Sequence, residues 1–187
     1  MKGLPIFFEY NKNTPDSGFE AIQDFFISWT LRCAADEFSS VDYKVHNYSK
    51  RILFQLIYKN PDLNFKVLEV VTKRQFKYID LLVEVVVNEG LANKKYLLNI
   101  ENKWYTSISD TQLKNYKNII EKNYSNDFVV RDIVLYPDWI KVKENEETAK
   151  KSDYEIITVE GLKDVISGFQ LTNNYLFDEY WFKFYNL

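Results

Sequence analysis

Two β-rich runs, Tyr78 to Val87 and Lys95 to Lys103, constrain this chain more than any other feature. Between them lies Asn88-Glu-Gly-Leu-Ala-Asn-Lys94, whose Gly and Asn read as a hairpin turn. Side chains alternate along a strand, so Glu101 and Lys103 share one face while Ile100 and Asn102 share the other. The earlier run carries Asp80 near its start. Two adjacent strands can therefore bring Asp80, Glu101 and Lys103 to one point. Two carboxylates suit a hard divalent cation, and a neighbouring ammonium can hold or activate water beside it. The plain alternative is a strand-edge ion pair between Asp80 and Lys103 with no chemistry attached.

The rest of the chain surrounds this hairpin with helices and further strands. Phe19, Ile22, Phe25/Phe26, Trp29 and Cys33 recur at helical spacing, which predicts a first helix over about Ser17 to Phe38, started by Asp16-Ser17-Gly18. Glu20 and Asp24, four apart, share one of its faces. A second helix is expected over Tyr48 to Lys59, stopping before Asn60-Pro61. Phe65 to Thr72 reads as a strand before the hairpin. Asp110 to Lys122 reads as a helix capped by Ser109 or Asp110, with Gln112 and Tyr116 on one face. Asp127 to Tyr136 is a strand ended by Pro137, and the charged run Lys141 to Ser152 is expected to be a solvated, mobile loop. Tyr154 to Thr158 is a short last strand, followed by a helix over Val159 to Phe169 and an aromatic, helical tail over Asn174 to Leu187. No repeat or low-complexity linker interrupts residues 1–187, so one domain is expected.

The succession Ile79-Asp80, then Ile100-Glu101-Asn102-Lys103, then Gln112-Leu-Lys-Asn-Tyr116 resembles the PD-(D/E)XK nuclease superfamily, and is especially similar to an uncharacterised bacterial branch of it. Arg131-Asp-Ile-Val-Leu-Tyr-Pro137 resembles the family's core strand after the motif helix, and Tyr154 to Ile166 its closing strand and helix. The resemblance implies an α/β, restriction-endonuclease-like fold, a mixed central sheet flanked by helices in the order ααβββαββα. It implies Asp80, Glu101, Lys103, Gln112 and Tyr116 as the catalytic set. Asp80, Glu101 and the backbone carbonyl of Asn102 would hold Mg²⁺, with Mn²⁺ as a substitute. An acid on the first helix would join them: Asp24, followed by Ser28-Trp-Thr-Leu31, fits the family's spacing, and Glu20 one turn earlier is the competitor. Lys103 beside the cation would have a depressed pKa. The implied activity is metal-dependent phosphodiester hydrolysis, on DNA rather than RNA, leaving a 5′-phosphate. The other class is a catalytically silent module of the same fold that binds nucleic acid or protein, as a homodimer or within a larger defence or repair complex.

Composition narrows the classes that remain. One cysteine, Cys33, excludes an internal disulfide and fits a core position on the first helix. No run is long and apolar enough for a signal peptide or a membrane span, so a cytoplasmic protein is expected. His46 is the sole histidine, which argues against a zinc site or a histidine-based triad. A formal charge of −3 argues against indiscriminate polyanion binding, although Lys73, Arg74 and Lys77 precede Asp80, and Lys114 and Lys117 follow Glu101. Trp104 and Tyr105 are candidates for base stacking or for packing. The tail Tyr180 to Tyr185 is expected to pack in the core, with a dimer surface as the second reading.

Overall fold

The computed structural model describes residues 18–104, 107–137 and 143–183. Helix α1 (Phe19–Arg32) is followed by a 3-10 turn (Asp36–Phe38) and helix α2 (Tyr43–Tyr58). Strands β1 (Lys66–Phe76), β2 (Ile79–Asn88) and β3 (Asn93–Asn102) follow, then helix α3 (Asp110–Asn123) and strand β4 (Phe128–Tyr136). Helix α4 (Lys143–Lys151), strand β5 (Glu155–Thr158) and helices α5 (Val159–Asp164) and α6 (Tyr175–Asp178) complete the order, with a π-helical turn over Glu179–Lys183.

The five strands form one mixed sheet in sequence order. β1, β2 and β3 are antiparallel, the expected hairpin among them, whereas β3/β4 and β4/β5 are parallel. β3 is the central strand, and every residue from Tyr96 to Asn102 is buried. Such a strand has both faces covered, which is why its apolar run is near-continuous rather than alternating. On one face, α1, α2, α5 and the C-terminal aromatics pack against Leu81, Val83, Leu98 and Ile100. On the other, α3 and α4 pack against Ile79, Leu82, Leu97 and Val134. Each fully buried Leu or Val contributes about 1.5–3 kcal/mol relative to exposure, so the two helical layers lock β3 between them.

Helix boundaries follow local chemistry. α2 begins at Tyr43, earlier than expected, because the Asp42 carboxylate accepts the Val45 N–H as an N-cap. Its buried residues Val45, Tyr48, Ile52, Leu53, Leu56 and Ile57 keep helical spacing to the end. α1 stops at Arg32, before the expected Phe38, and the chain turns there into the short 3-10 segment. Asp16 and Ser17 lie outside the described residues.

The charged segment before the last strand is a correction. It is expected as a mobile loop, yet Lys143–Lys151 is helical, adding α4 between β4 and β5. Ala149 is buried in the second core layer, the Asn145 side chain accepts the Ile108 N–H at 3.0 Å, and the Ser152 hydroxyl donates to Asp110 at 2.5 Å. One small apolar residue and one amide hold the helix, and neither produces a periodic signal among lysines and glutamates. Helix α5 is shorter than expected, ending at Asp164, because the chain turns at Val165. Tyr180 and Trp181 are fully buried, so the tail packs in the core as expected, while residues 184–187 lie outside the described set. Among the described residues no helix is long and apolar enough to cross a membrane.

Candidate functional site

The carboxylates named from sequence meet where β2 begins and β3 ends. Leu81 pairs with Ile100, and one further step along that register sets Asp80 across from Glu101. Asp80 Oδ2 accepts the Asn102 backbone N–H at 3.0 Å, and its Oδ1 accepts from Gln75 Nε2 at 3.1 Å. Lys103 lies just beyond β3, and its N–H donates to the Leu135 carbonyl at 2.9 Å, which ties the end of the motif to β4. Its Nζ stands 2.6 Å from Glu101 Oε1. The ion pair therefore runs from Lys103 to Glu101, not to Asp80.

Helix α3 supplies the next layer. Gln112 and Tyr116, one turn apart, both face Glu101. Gln112 Nε2 donates to Glu101 Oε1 at 2.9 Å and to the Tyr116 hydroxyl at 2.6 Å. Helical spacing thus turns two residues that are four apart in sequence into one bracket on the carboxylate. Beside Gln112 an open polar groove is lined by Ser109, Asp110, Thr111, Lys114, Asn115 and Asn118.

Oxygen Oε1 of Glu101 is thereby shared by two donors, and Oε2 is not. Glu101 is fully buried, and among the described residues no N–H donor reaches Oε2, while the carboxyl lies within hydrogen-bonding reach of the Asp80 carboxyl. Burial, followed by the charge of Asp80, pushes its carboxyl up to about 8, against the opposing pull of Lys103. Two carboxyls this close avoid the cost of adjacent negative charges either by sharing a proton, which the raised Glu101 pKa reflects, or by taking up a cation. The donor set is hard oxygen, which fits Mg²⁺ or Mn²⁺ and not a thiolate-seeking metal. Among the described residues no three His, Cys, Asp or Glu side chains gather closely enough to hold a metal by themselves. A cation here would rely on two carboxylates with backbone carbonyl and water.

The acids of α1 are engaged elsewhere. Asp24 is buried, and its Oδ1 accepts from Asn102 Nδ2 at 2.9 Å. The same amide donates to the Glu20 carbonyl at 3.0 Å, while Asn102 Oδ1 accepts from the buried Gln23 at 2.5 Å. Glu20 Oε1 accepts the Trp104 N–H at 2.7 Å. Burial, then the charge of Asp80, raises the Asp24 carboxyl to about 7, with the Asn102 bond working the other way. Neither acid belongs to a simply solvated helix face. Both bind the chain that carries the motif, and Asn102 is the bolt between α1 and β3.

At Lys103 two effects of the protein's own groups oppose each other. Burial works against the ammonium, but the Glu101 carboxylate, with Asp80 behind it, outweighs burial and holds the pKa above the ordinary lysine value. Trp104 is fully buried against Phe19, with ring centres 4.4 Å apart, so it packs and does not stack bases. Tyr105 lies outside the described residues. Cys33 is partly buried against the core, and burial raises its thiol to about 11. Of the basic residues around the motif, Lys73 pairs with Glu84, Lys114 with Asp110, and Lys117 with Asp132.

Sequence reading missed Gln75 and Gln23. The tight turn after Phe76 sets Gln75 across from Asp80, so the hairpin pattern carried that signal. Gln23 had none, because its partner lies 79 positions away.

A family model described as the PD-(D/E)XK nuclease superfamily matches residues 11–183. No curated protein matches the sequence. Among solved structures, EndoMS in apo form shares 19% identity at a TM-score of 0.32, covering 59% of this chain and 45% of that one. The DNA modification-dependent restriction endonuclease AspBHI shares 9% identity at a TM-score of 0.39, covering 97% of this chain and 43% of that one. The chain thus spans less than half the length of either.

Proposed function

Because this chain belongs to the PD-(D/E)XK nuclease superfamily, we propose that it is a Mg²⁺-dependent nuclease, with DNA as its substrate ahead of RNA. The observation that carries the reading is the buried Glu101 carboxyl, whose Oε2 meets no N–H donor among the described residues and which stands across from Asp80 in the sheet register. Asp80, Glu101 and the Asn102 carbonyl would hold the cation, which when bound polarises a phosphate and acidifies a coordinated water. Gln112 and Tyr116 fix the rotamer of Glu101 so that Oε1 stays occupied and Oε2 stays available. Lys103, kept charged by Glu101, presents an ammonium that orients the attacking water and offsets charge growing on the phosphoryl oxygens.

The test is hydrolysis of plasmid DNA and of RNA with Mg²⁺ or Mn²⁺, alongside Lys103→Ala. We expect the variant to lose about 100-fold or more of the rate. A parent protein and variant with equal nucleic-acid breakdown would sink the reading. Calorimetric titration with Mn²⁺ provides the second readout, with binding in the parent and its loss in Asp80→Ala.

A second reading is a silent binding module of this fold, working as a homodimer or inside a larger complex. It is favoured by the Asp24 carboxylate, one oxygen of which is already occupied by the Asn102 amide. A parent that binds nucleic acid or protein, yet takes up no Mn²⁺, would select this reading over the first.

A further inference from the structure

The β1–β2 hairpin ends in a turn whose backbone does not suit its residues. Phe76 pairs with Ile79, leaving Lys77 and Tyr78 as the two turn residues, with φ of 50° and 77°. Gln75, just before, also sits at a φ of 55°. Two-residue hairpins with both central residues at positive φ are normally built from Asn and Gly. An aromatic residue there is a steric outlier, and such outliers persist where something other than local stability selects them. Tyr78 gains little packing in return, since it is 81% exposed. It precedes Asp80 by two residues, so this turn stands at the rim of the proposed centre.

A second exposed aromatic lies on α1. Phe25, the residue after Asp24, is 57% exposed, an unusual place for a phenyl ring on a helix that packs against the sheet. The Arg74 guanidinium lies over it, 3.1 Å from the ring centre. In the hairpin register Arg74 faces Leu81, one step from Asp80. Lys77 adds a second cation at the turn itself, donating to Asn123 at 2.5 Å. An exposed tyrosine and a lysine therefore stand at the turn before Asp80, and an exposed phenylalanine with a guanidinium over one ring face stands next to Asp24. Stacked bases with phosphates alongside match aromatic faces interleaved with cations. A paired duplex buries its base faces and offers only its edges to such rings.

We propose that Tyr78 and the Phe25–Arg74 pair form a stacking platform that holds unpaired bases of a nucleic-acid strand beside Asp80 and Glu101. The proposal rests on the nuclease reading and specifies the form of its substrate. Tyr78 and Phe25 supply ring faces, and Arg74 and Lys77 meet the backbone phosphates. The strained turn keeps the Tyr78 ring out in solvent instead of letting it fold back onto the sheet.

The experiment measures fluorescence anisotropy of a labelled oligothymidine, and of a blunt duplex of equal length, in Ca²⁺ so that no strand is cut. The key variant is Tyr78→Gly, because glycine accepts the positive φ and the fold is retained or stabilised. Tyr78→Gly and Phe25→Ala should each weaken oligothymidine binding by about 5- to 100-fold, the range for one stacked base. Tyr78→Phe should restore it, and duplex binding should change less than twofold. The platform is overturned if Tyr78→Gly binds oligothymidine like the parent, or if duplex binding falls as much as single-strand binding. Parent protein that binds Mn²⁺ but shows no Tyr78 effect leaves the nuclease reading standing without the platform. Parent protein that binds neither oligothymidine nor Mn²⁺ overturns both.

Discussion

Asn102 lies between the two charged residues of the motif and does more than space them. Its backbone N–H holds Asp80, and its side chain joins Gln23, Glu20 and Asp24. The Asp24 carboxyl, raised to about 7 by burial and the nearby charge of Asp80, gives this network a pH dependence. Its folded pKa lies above its unfolded value, so the native state binds the proton more tightly. The stability that proton confers is complete below about pH 4 and is lost as pH rises through about 7. Asp24→Asn keeps an oxygen for Asn102 and removes the charge. We expect it to raise the melting temperature by roughly 3–6 °C at pH 8 and to change it little at pH 4. Thermal unfolding followed by circular dichroism at both pH values checks this, and an equal shift at both would count against the buried charge as the cause.

At the scale of elements, caps and registers set where the functional side chains stand. The N-cap at Asp42 starts α2 more than a turn before the expected Tyr48, and places Val45 and Tyr48 against the core. Asp42→Ala should cost about 1 kcal/mol and lower the melting temperature by roughly 2–4 °C, with far-ultraviolet dichroism otherwise unchanged. The hairpin register was legible because β-branched runs and a Gly-containing turn are local features, and it set Asp80 across from Glu101. α3 was legible for the same reason, through a stripe that includes Leu113, Tyr116 and Ile120, although Ser109 at its N-cap position makes no side-chain capping hydrogen bond and Asp110 bonds Ser152 and Lys114 instead. α4 was not. Its attachment through Ala149, Asn145 and Ser152 depends on Ile108 and Asp110, more than 30 residues earlier, and no periodicity within Lys143–Lys151 announces it.

Across the whole molecule, the C-terminal aromatics close the α1 side of the sheet. Trp181 is fully buried and donates its indole N–H to Thr30 at 3.1 Å, while Tyr180 stacks on Phe26 with ring centres 3.9 Å apart. The Tyr180 hydroxyl also reaches Gln23 at 3.4 Å, so the last described segment touches the network behind Asp24. Trp181→Ala should destabilise by about 3–5 kcal/mol and lower the melting temperature on the order of 10 °C. Trp181→Phe should recover part of that, and a loss confined to a few tenths of a kcal/mol in the alanine variant would show that the segment is not part of the core. The sequence by itself determined the hairpin and the motif helix, because alternation, helical spacing and turn residues act within a dozen positions; the grouping of Asp80, Glu101, Lys103 and Gln112, spread over more than 30 positions, was legible only through the resemblance to the PD-(D/E)XK family. Only the tertiary structure decided that Lys103 pairs with Glu101, that Asn102 engages Asp24, and that among the described residues no N–H donor reaches Glu101 Oε2. Those outcomes depend on burial and on partners up to 80 residues apart, where the charge of one group is set by which others the fold removes from water.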